Sequence, residues 1–136
     1  MLKKISAESN ALNWFEIPVN DTARAKRFYE TVLDLQMHTV YMEETGDELT
    51  FFVYTPGQIQ GTSGKVLGAL VKSDRAHPSA EGTLVYLNAS PSIQAAIEKI
   101  EPAGGKLLVP RSKILAGYIA IFIDTEGNRV GLHAEN

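Results

Sequence analysis

No cysteine occurs anywhere in the 136 residues. That removes disulfides, thiolate nucleophiles and thiolate metal sites together, and leaves ordinary cytoplasm as the expected location. Charge of one sign is equally scarce, since the formal net charge is only −3 and the lysines are scattered. A chain without a basic stripe is a poor partner for phosphate backbones, so nucleic acid is not expected. Long apolar runs are missing too. The longest, around Ile114 to Ile123, is far too short to span a bilayer and alternates like a strand, and Met1-Leu2-Lys3-Lys4-Ile5-Ser6 has no signal-like apolar stretch behind it. No membrane association is expected.

What is present fits one globular unit with a real core: 44% of the residues are hydrophobic. From Tyr118 to His133 the chain carries an alternating run, a turn on Asp124-Thr125-Glu126-Gly127-Asn128, and a second short run. Ile119, Ile121 and Ile123 point one way at period two, while Tyr118, Ala120, Phe122 and Asp124 point the other. The pattern has an earlier copy. Glu48 to Thr55 lies on Tyr118 to Thr125, and Gly64 to Val71 lies on Gly127 to Ala134, with Gly57 to Ser63 as extra loop.

In chain order, residues 1–11 read as a polar arm, and Asn13 to Val19 as a strand with Phe15, Ile17 and Val19 on one face and Trp14, Glu16 and Pro18 on the other. Asn20-Asp21-Thr22 supplies capping oxygens to a helix with the stripe Ala25, Phe28, Tyr29, Val32 and Leu33. Leu35 to Met42 is the second strand. Residues 72–82, holding Pro78 and Gly82, are polar and aperiodic and serve as the linker.

The order then restarts with Thr83 to Asn88, and Ser90-Pro91 is read as cap and first position of a helix striped by Ile93, Ala96, Ile97 and Ile100. Pro102 to Gly105 stops it and Lys106 to Val109 is the next strand. The expected architecture is α+β: a single domain over 12–136, made of two βαβββ modules at roughly 12–71 and 83–134. Helix-free faces of the two modules should enclose a cleft. Predicted to line it are Trp14, Glu16, Thr50, Phe52, Tyr54, Leu70, Leu84, Tyr86, Tyr118, Phe122 and His133. A one-residue register error would exchange any strand's members for their neighbours.

Three stretches carry a likeness to a known family: Phe15-Glu16-Ile17-Pro18-Val19-Asn20-Asp21 running into Arg24 to Leu33, then Ala103-Gly104-Gly105-Lys106, and finally Asp124 to His133. They resemble the vicinal oxygen chelate superfamily, also called the glyoxalase, bleomycin-resistance protein and dioxygenase superfamily. The resemblance implies paired βαβββ modules forming an open, cup-shaped mixed sheet, usually in a homodimer. It also implies a divalent metal held by His, Gln or Glu from the first and last strands of each module, acting as a Lewis acid. Carried across, those positions fall on Trp14 and Gly68, then on Gly82 or Thr83, and on Gly131. Trp and Gly offer no lone pair and Thr is a poor ligand, so no cofactor and no metal site is expected.

Glu16 and His133 are the candidate catalytic groups. A carboxylate in an aromatic cleft is a potential base or a grip for a cation, and an imidazole on the cleft face is able to shuttle a proton. Their plain readings are a Glu16 pair with a cation such as Arg111, and a strand-neighbour hydrogen bond for His133. The 124–128 turn is expected to be structural, with Gly127 in a conformation that side chains disfavour, so mutation there should cost stability and not selectivity. The function expected is binding of a small organic ligand without metal. Its rival is a lyase, isomerase or dioxygenase with a non-standard site. A third reading is a scaffold dimer whose cup is filled by its own side chains.

Overall fold

The computed structural model describes residues 2–56, 62 and 64–136, so most of the extra loop anticipated at 57–63 lies outside the described residues. The elements run β1 (Trp14–Pro18), α1 (Thr22–Leu33), β2 (His38–Met42), β3 (Asp47–Phe51), β4 (Leu67–Lys72), β5 (Tyr86–Asn88), α2 (Ile93–Ile100), β6 (Lys106–Ile114), β7 (Gly117–Ile123) and β8 (Arg129–Ala134). They form two four-stranded mixed sheets, ordered β1-β4-β3-β2 and β5-β8-β7-β6. Each first strand pairs parallel with its module's last strand, and every other pairing is antiparallel. The repeated βαβββ pattern is therefore what the chain adopts. No helix among the described residues is long and apolar enough to cross a membrane.

Helix α1 begins as its sequence dictates. Asp21, in an extended conformation, accepts the Arg24 amide at 3.0 Å, satisfying one of the unpaired donors of the first turn. Helix α2 starts later than expected: Ser92 and not Ser90 is its cap, accepting from the Ala95 amide at 3.3 Å, so Pro91 precedes the helix. Buried stripes on both helices match the periodicity: Ala25, Phe28, Tyr29 and Val32 on α1, and Ile93, Ala96 and Ile100 on α2.

One core serves both modules. It combines Ile17, Val19, Phe52 and Leu70 of the first with Leu87, Ala120, Phe122, Val130 and Leu132 of the second, around the helix stripes. Helix α1 touches both sheets. The Phe28 ring lies 5.7 Å from Phe122, while Tyr29 lies 5.5 Å from Phe52 and 6.3 Å from Phe122. Such offset and edge contacts contribute roughly 0.5–1.5 kcal/mol each beyond the burial of the rings. The helix-bearing sides of both sheets thus face a shared interior. Consequently the helix-free faces point away from that interior, and among the described residues of one chain they do not close over a common cleft.

This packing corrects five of the anticipated cleft residues. Thr50, Phe52, Leu70 and Phe122 are 0%, 7%, 0% and 0% exposed and lie on the helix side, as does Tyr118, which packs against the core. The reason is that α1 presents two aromatic rings, which take the wide, mixed set of β3 and β7. The isoleucines of β7 are left facing outward, and Ile119 and Ile121 are only partly buried. A slip in the repeat compounds the error for Leu70. The pairs Ile17↔Leu70 and Leu87↔Leu132 occupy equivalent places, so Leu70 corresponds to Leu132 and Val71 to His133. The bonds Val19 N to Val71 O and Ala89 N to His133 O confirm that alignment.

The Asp124–Asn128 turn fastens the modules to each other. Asp124 accepts the Tyr29 hydroxyl at 2.6 Å and the amides of Glu126 and Asn128 at 2.8 and 2.9 Å. Asn128 donates Nδ2 to the Pro18 carbonyl at 2.7 Å and accepts the Ser79 amide. Glu126 takes the Asn20 and Asp21 amides at 2.9 and 2.8 Å and a forked ion pair from Arg24, with Nε at 2.7 Å and Nη2 at 3.0 Å. Gly127 has φ +95°, the left-handed conformation anticipated for it.

Candidate functional site

On the helix-free face of the first sheet, Trp14 and Glu16 stand two residues apart on β1, and the indole Nε1–H donates to Glu16 Oε2 at 3.1 Å. Trp14 meets Phe51 edge-on at 5.8 Å. Tyr54, just past the end of β3, lies 5.5 Å from Phe51 and stacks on His38 at 4.2 Å. Beneath them lie Ala69 and Val71, both buried. Glu16 itself is exposed, so nothing here desolvates its carboxylate. Its suggested partner is engaged on the other sheet, where Arg111 lies 4.0 Å above the Tyr118 ring.

On the second sheet's helix-free face, Tyr86, Asn88, Ile114, Ala116, Ile119 and His133 enclose an open pocket of about 470 Å³. Strand β5 places Tyr86 and Asn88, and parallel pairing sets Asn88 beside His133 and Tyr86 beside Gly131. Alternation along β8 then turns His133 to the pocket while Leu132 goes into the core. His133 Nε2 lies 2.8 Å from the Ala116 carbonyl oxygen, so the ring is anchored to the β6–β7 turn. The plain reading of His133 was a bond to a strand neighbour; the partner is instead the backbone of the turn, not Asn88 or Ile119 beside it on the sheet.

Of the anticipated site residues, Tyr86 and His133 therefore share a pocket, and Trp14, Glu16 and Tyr54 share a separate surface. The two catalytic candidates, Glu16 and His133, sit on the outward faces of different sheets. Asn88, Ile114, Ala116 and Ile119 were not among the expected lining. Asn88 was detectable in principle, since it is a polar residue at the same parity as Tyr86 on a three-residue strand.

Positions implied for metal ligands are occupied as follows. Trp14 faces outward with its only nitrogen used as a donor. Gly68 faces the helix side, where an added Cβ would lie 2.3 Å from the Phe15 ring, and its outward neighbour Ala69 is the residue equivalent to Gly131. At Gly131 a Cβ would lie 2.5 Å from Tyr86 Cδ1, so the Tyr86 ring fills the place a side chain would take. Gly82 and Thr83 precede β5, and the residue equivalent to Trp14 by strand pairing is Leu84. Among the described residues, no three His, Asp or Glu side chains come together as a possible metal cluster.

Paired βαβββ modules, with their helices between two sheets and open outward sheet faces, define the class of scaffold. The chain belongs to the Glyoxalase/Bleomycin resistance protein/Dioxygenase superfamily, whose sequence profile matches residues 11–132. Solved structures similar to it include a glyoxalase/bleomycin resistance protein from Streptomyces sp. CB03234, at 22% identity over 88% of this chain and 96% of that one, with TM-score 0.63. A genomically encoded fosfomycin resistance protein from Listeria monocytogenes is similar at 14% identity, 100% and 94% coverage and TM-score 0.60. A V278E mutant of glyoxalase I from Zea mays is similar at 16% identity and TM-score 0.62; the match covers 90% of this chain but only 45% of that one. At these identities the likeness is one of fold. Comparison with curated proteins finds no match.

Proposed function

We propose that this protein binds a small organic ligand on its outward sheet faces, as a homodimer and without the divalent metal that the superfamily's enzymes use. The observation that carries the reading is at Gly131, where the Tyr86 ring occupies the space from which a ligating side chain would project. Trp14, Leu84 and Ala69, at the other equivalent positions, add no lone pair suited to a cation. The pocket left beside Tyr86 is of the size that small ligands fill, with an apolar floor and a few polar groups.

The direction of the two faces supports the homodimer. Each is half of a cup, and a second copy is what would bring the first sheet's Trp14 and Glu16 opposite the pocket of Tyr86 and His133. Exposed apolar side chains on or beside these faces support such a contact: Tyr54 is 38%, Tyr86 45%, Ile114 38% and Leu115 110% exposed. Sedimentation of the purified protein tests this, and a single monomeric species at micromolar concentration would refute it.

A thermal-shift panel of aromatic, cationic and thiol-conjugate compounds tests the binding itself. Saturable stabilisation without turnover is the expected result, reaching about 2.7 kcal/mol at a hundredfold excess over Kd. Elemental analysis decides between this reading and the rival enzyme with a protein-held metal, since stoichiometric zinc, nickel, iron or manganese would overturn the proposal. One observation favours a metal-independent enzyme: His133 has a ring nitrogen left over beside the pocket. Product formation lost on His133→Ala would establish it.

A further inference from the structure

Asn88 and His133 are register neighbours on the adjacent parallel strands β5 and β8, and both line the Tyr86 pocket. Each has one of its polar atoms already committed. Asn88 Oδ1 accepts the Ser90 amide at 2.9 Å, which fixes the orientation of the carboxamide and leaves Nδ2 as a donor of two protons. His133 Nε2 faces the Ala116 carbonyl at 2.8 Å. A carbonyl oxygen only accepts, so Nε2 carries the proton and the neutral ring keeps its lone pair on Nδ1. Among the described residues, neither Asn88 Nδ2 nor His133 Nδ1 has a hydrogen-bond partner. The pocket therefore presents a donor beside an acceptor, against a floor of Ile114, Ala116 and Ile119.

We propose that this wall selects a planar ligand whose edge carries an acceptor next to a donor, as a lactam or cis amide does. The inference rests on the binding reading above and names the chemical class that the same pocket takes. A lactam offers its carbonyl to Asn88 Nδ2 and its N–H to His133 Nδ1, while its flat faces lie against the aliphatic floor and the Tyr86 ring. A carboxylate satisfies Asn88 but sets a second lone pair against Nδ1. An ammonium group satisfies His133 but opposes the Asn88 protons. A hydrocarbon ring displaces water from both polar groups and offers neither a partner, which is the loss that hydrogen-bond discrimination rests on.

The test is an NMR titration of the isotope-labelled protein with 2-pyridone, 3-methyl-2-pyridone, N-methyl-2-pyridone and benzoate. The two lactams with a free N–H should shift the amides of Tyr86, Asn88, Ile119 and His133 and bind roughly fivefold or more tightly than the N-methylated compound, the worth of one net hydrogen bond. Added bulk is controlled for by 3-methyl-2-pyridone. In His133→Phe, which removes the acceptor for the lactam N–H, that preference should vanish; in Asn88→Asp, which keeps the oxygen that accepts from Ser90 but loses the donor to the lactam carbonyl, both N–H lactams should bind more weakly, with the rest of the spectrum retained in each variant. N-methyl-2-pyridone or benzoate binding at the same residues as tightly as 2-pyridone would overturn the edge and leave the binding reading intact. No shift at these residues with any of the four compounds would overturn the inference as well, and the thermal-shift panel then decides separately whether the binding reading falls with it.

Discussion

Replacing Glu126 by Gln removes one negative charge from the joint between the modules while keeping its shape. The Glu126 side chain is fully buried, and burial, the largest single influence, works against its charge. The Arg24 guanidinium, the amides of Asp21 and Asn20 and the Thr125 hydroxyl together outweigh it and hold the carboxyl pKa down at about 2, against an ordinary 4.5. That fall corresponds to ~3.4 kcal/mol in favour of the ionised, folded form. Arg24 is 47% exposed, so water screens part of the attraction and about 2 kcal/mol is the better figure. Because the folded-state pKa is depressed, the contribution is complete above pH 4.5 and is lost as pH falls toward 2. Urea denaturation at pH 7 should therefore show Glu126→Gln less stable by about 2 kcal/mol with an unchanged m-value. Between pH 5 and 2 the two proteins should converge, since wild type loses what the variant already lacks. A variant within about 0.5 kcal/mol of wild type at pH 7, or two curves that run parallel down to pH 2, would refute the reasoning.

Tyr29→Phe deletes the 2.6 Å hydroxyl donor to Asp124 inside the core, and should cost about 1.5–3 kcal/mol in the same assay. Phe122→Ala, which empties a place between Phe28 and Tyr29, should cost about 3–5 kcal/mol, whereas Ile119→Ala on the outward face should cost roughly 1. Equal losses from the last two would overturn the assignment of faces on β7. Gly131→Ala should destabilise by about 1–3 kcal/mol because its Cβ meets the Tyr86 ring, and adding Tyr86→Ala should restore most of the loss. A neutral Gly131→Ala in the presence of Tyr86 would show that the ring does not cover that position.

Much of the fold was legible because its signals are local. The repeat, the Asp21 cap and the helix stripes each depend on residues within a turn or two of one another, and the 124–128 turn announces itself by the residue types that bond backbone amides. Alternation along β3 and β7 was equally legible, but alternation separates two faces without saying which is the inner one. In β7 both sets are apolar, so hydrophobicity does not choose between Ile119, Ile121 and Ile123 on one side and Tyr118, Ala120 and Phe122 on the other. The choice is made at a distance by Phe28 and Tyr29, whose rings fit the gaps beside Ala120 and Phe122 better than a row of isoleucines would. Thr50 misled for the opposite reason. A hydroxyl looks like a cleft group, yet its bond to the Thr39 hydroxyl at 2.8 Å lets it sit fully buried beside the core.

The candidate pocket was half legible on the same grounds. Tyr86 and His133 follow from parity on short strands that also carry an unmistakable core residue, Leu87 or Leu132, to set the phase. Asn88 acquires its meaning only from two bonds outside its own strand pair, the Ser90 amide on its oxygen and the Ala116 carbonyl on its neighbour's ring. Polar specificity in this pocket is thus a product of what the backbone has already consumed. It follows that a substitution at Ser90 acts on ligand choice only when it removes or moves the amide, since Ser90 holds Asn88 in place through a main-chain N–H that every residue but proline shares. Ser90→Ala, which keeps that amide and lies outside the pocket lining, should leave ligand preference unaltered. Ser90→Pro, which deletes the amide that orients Asn88, should weaken binding of the N–H lactams, as Asn88→Asp does.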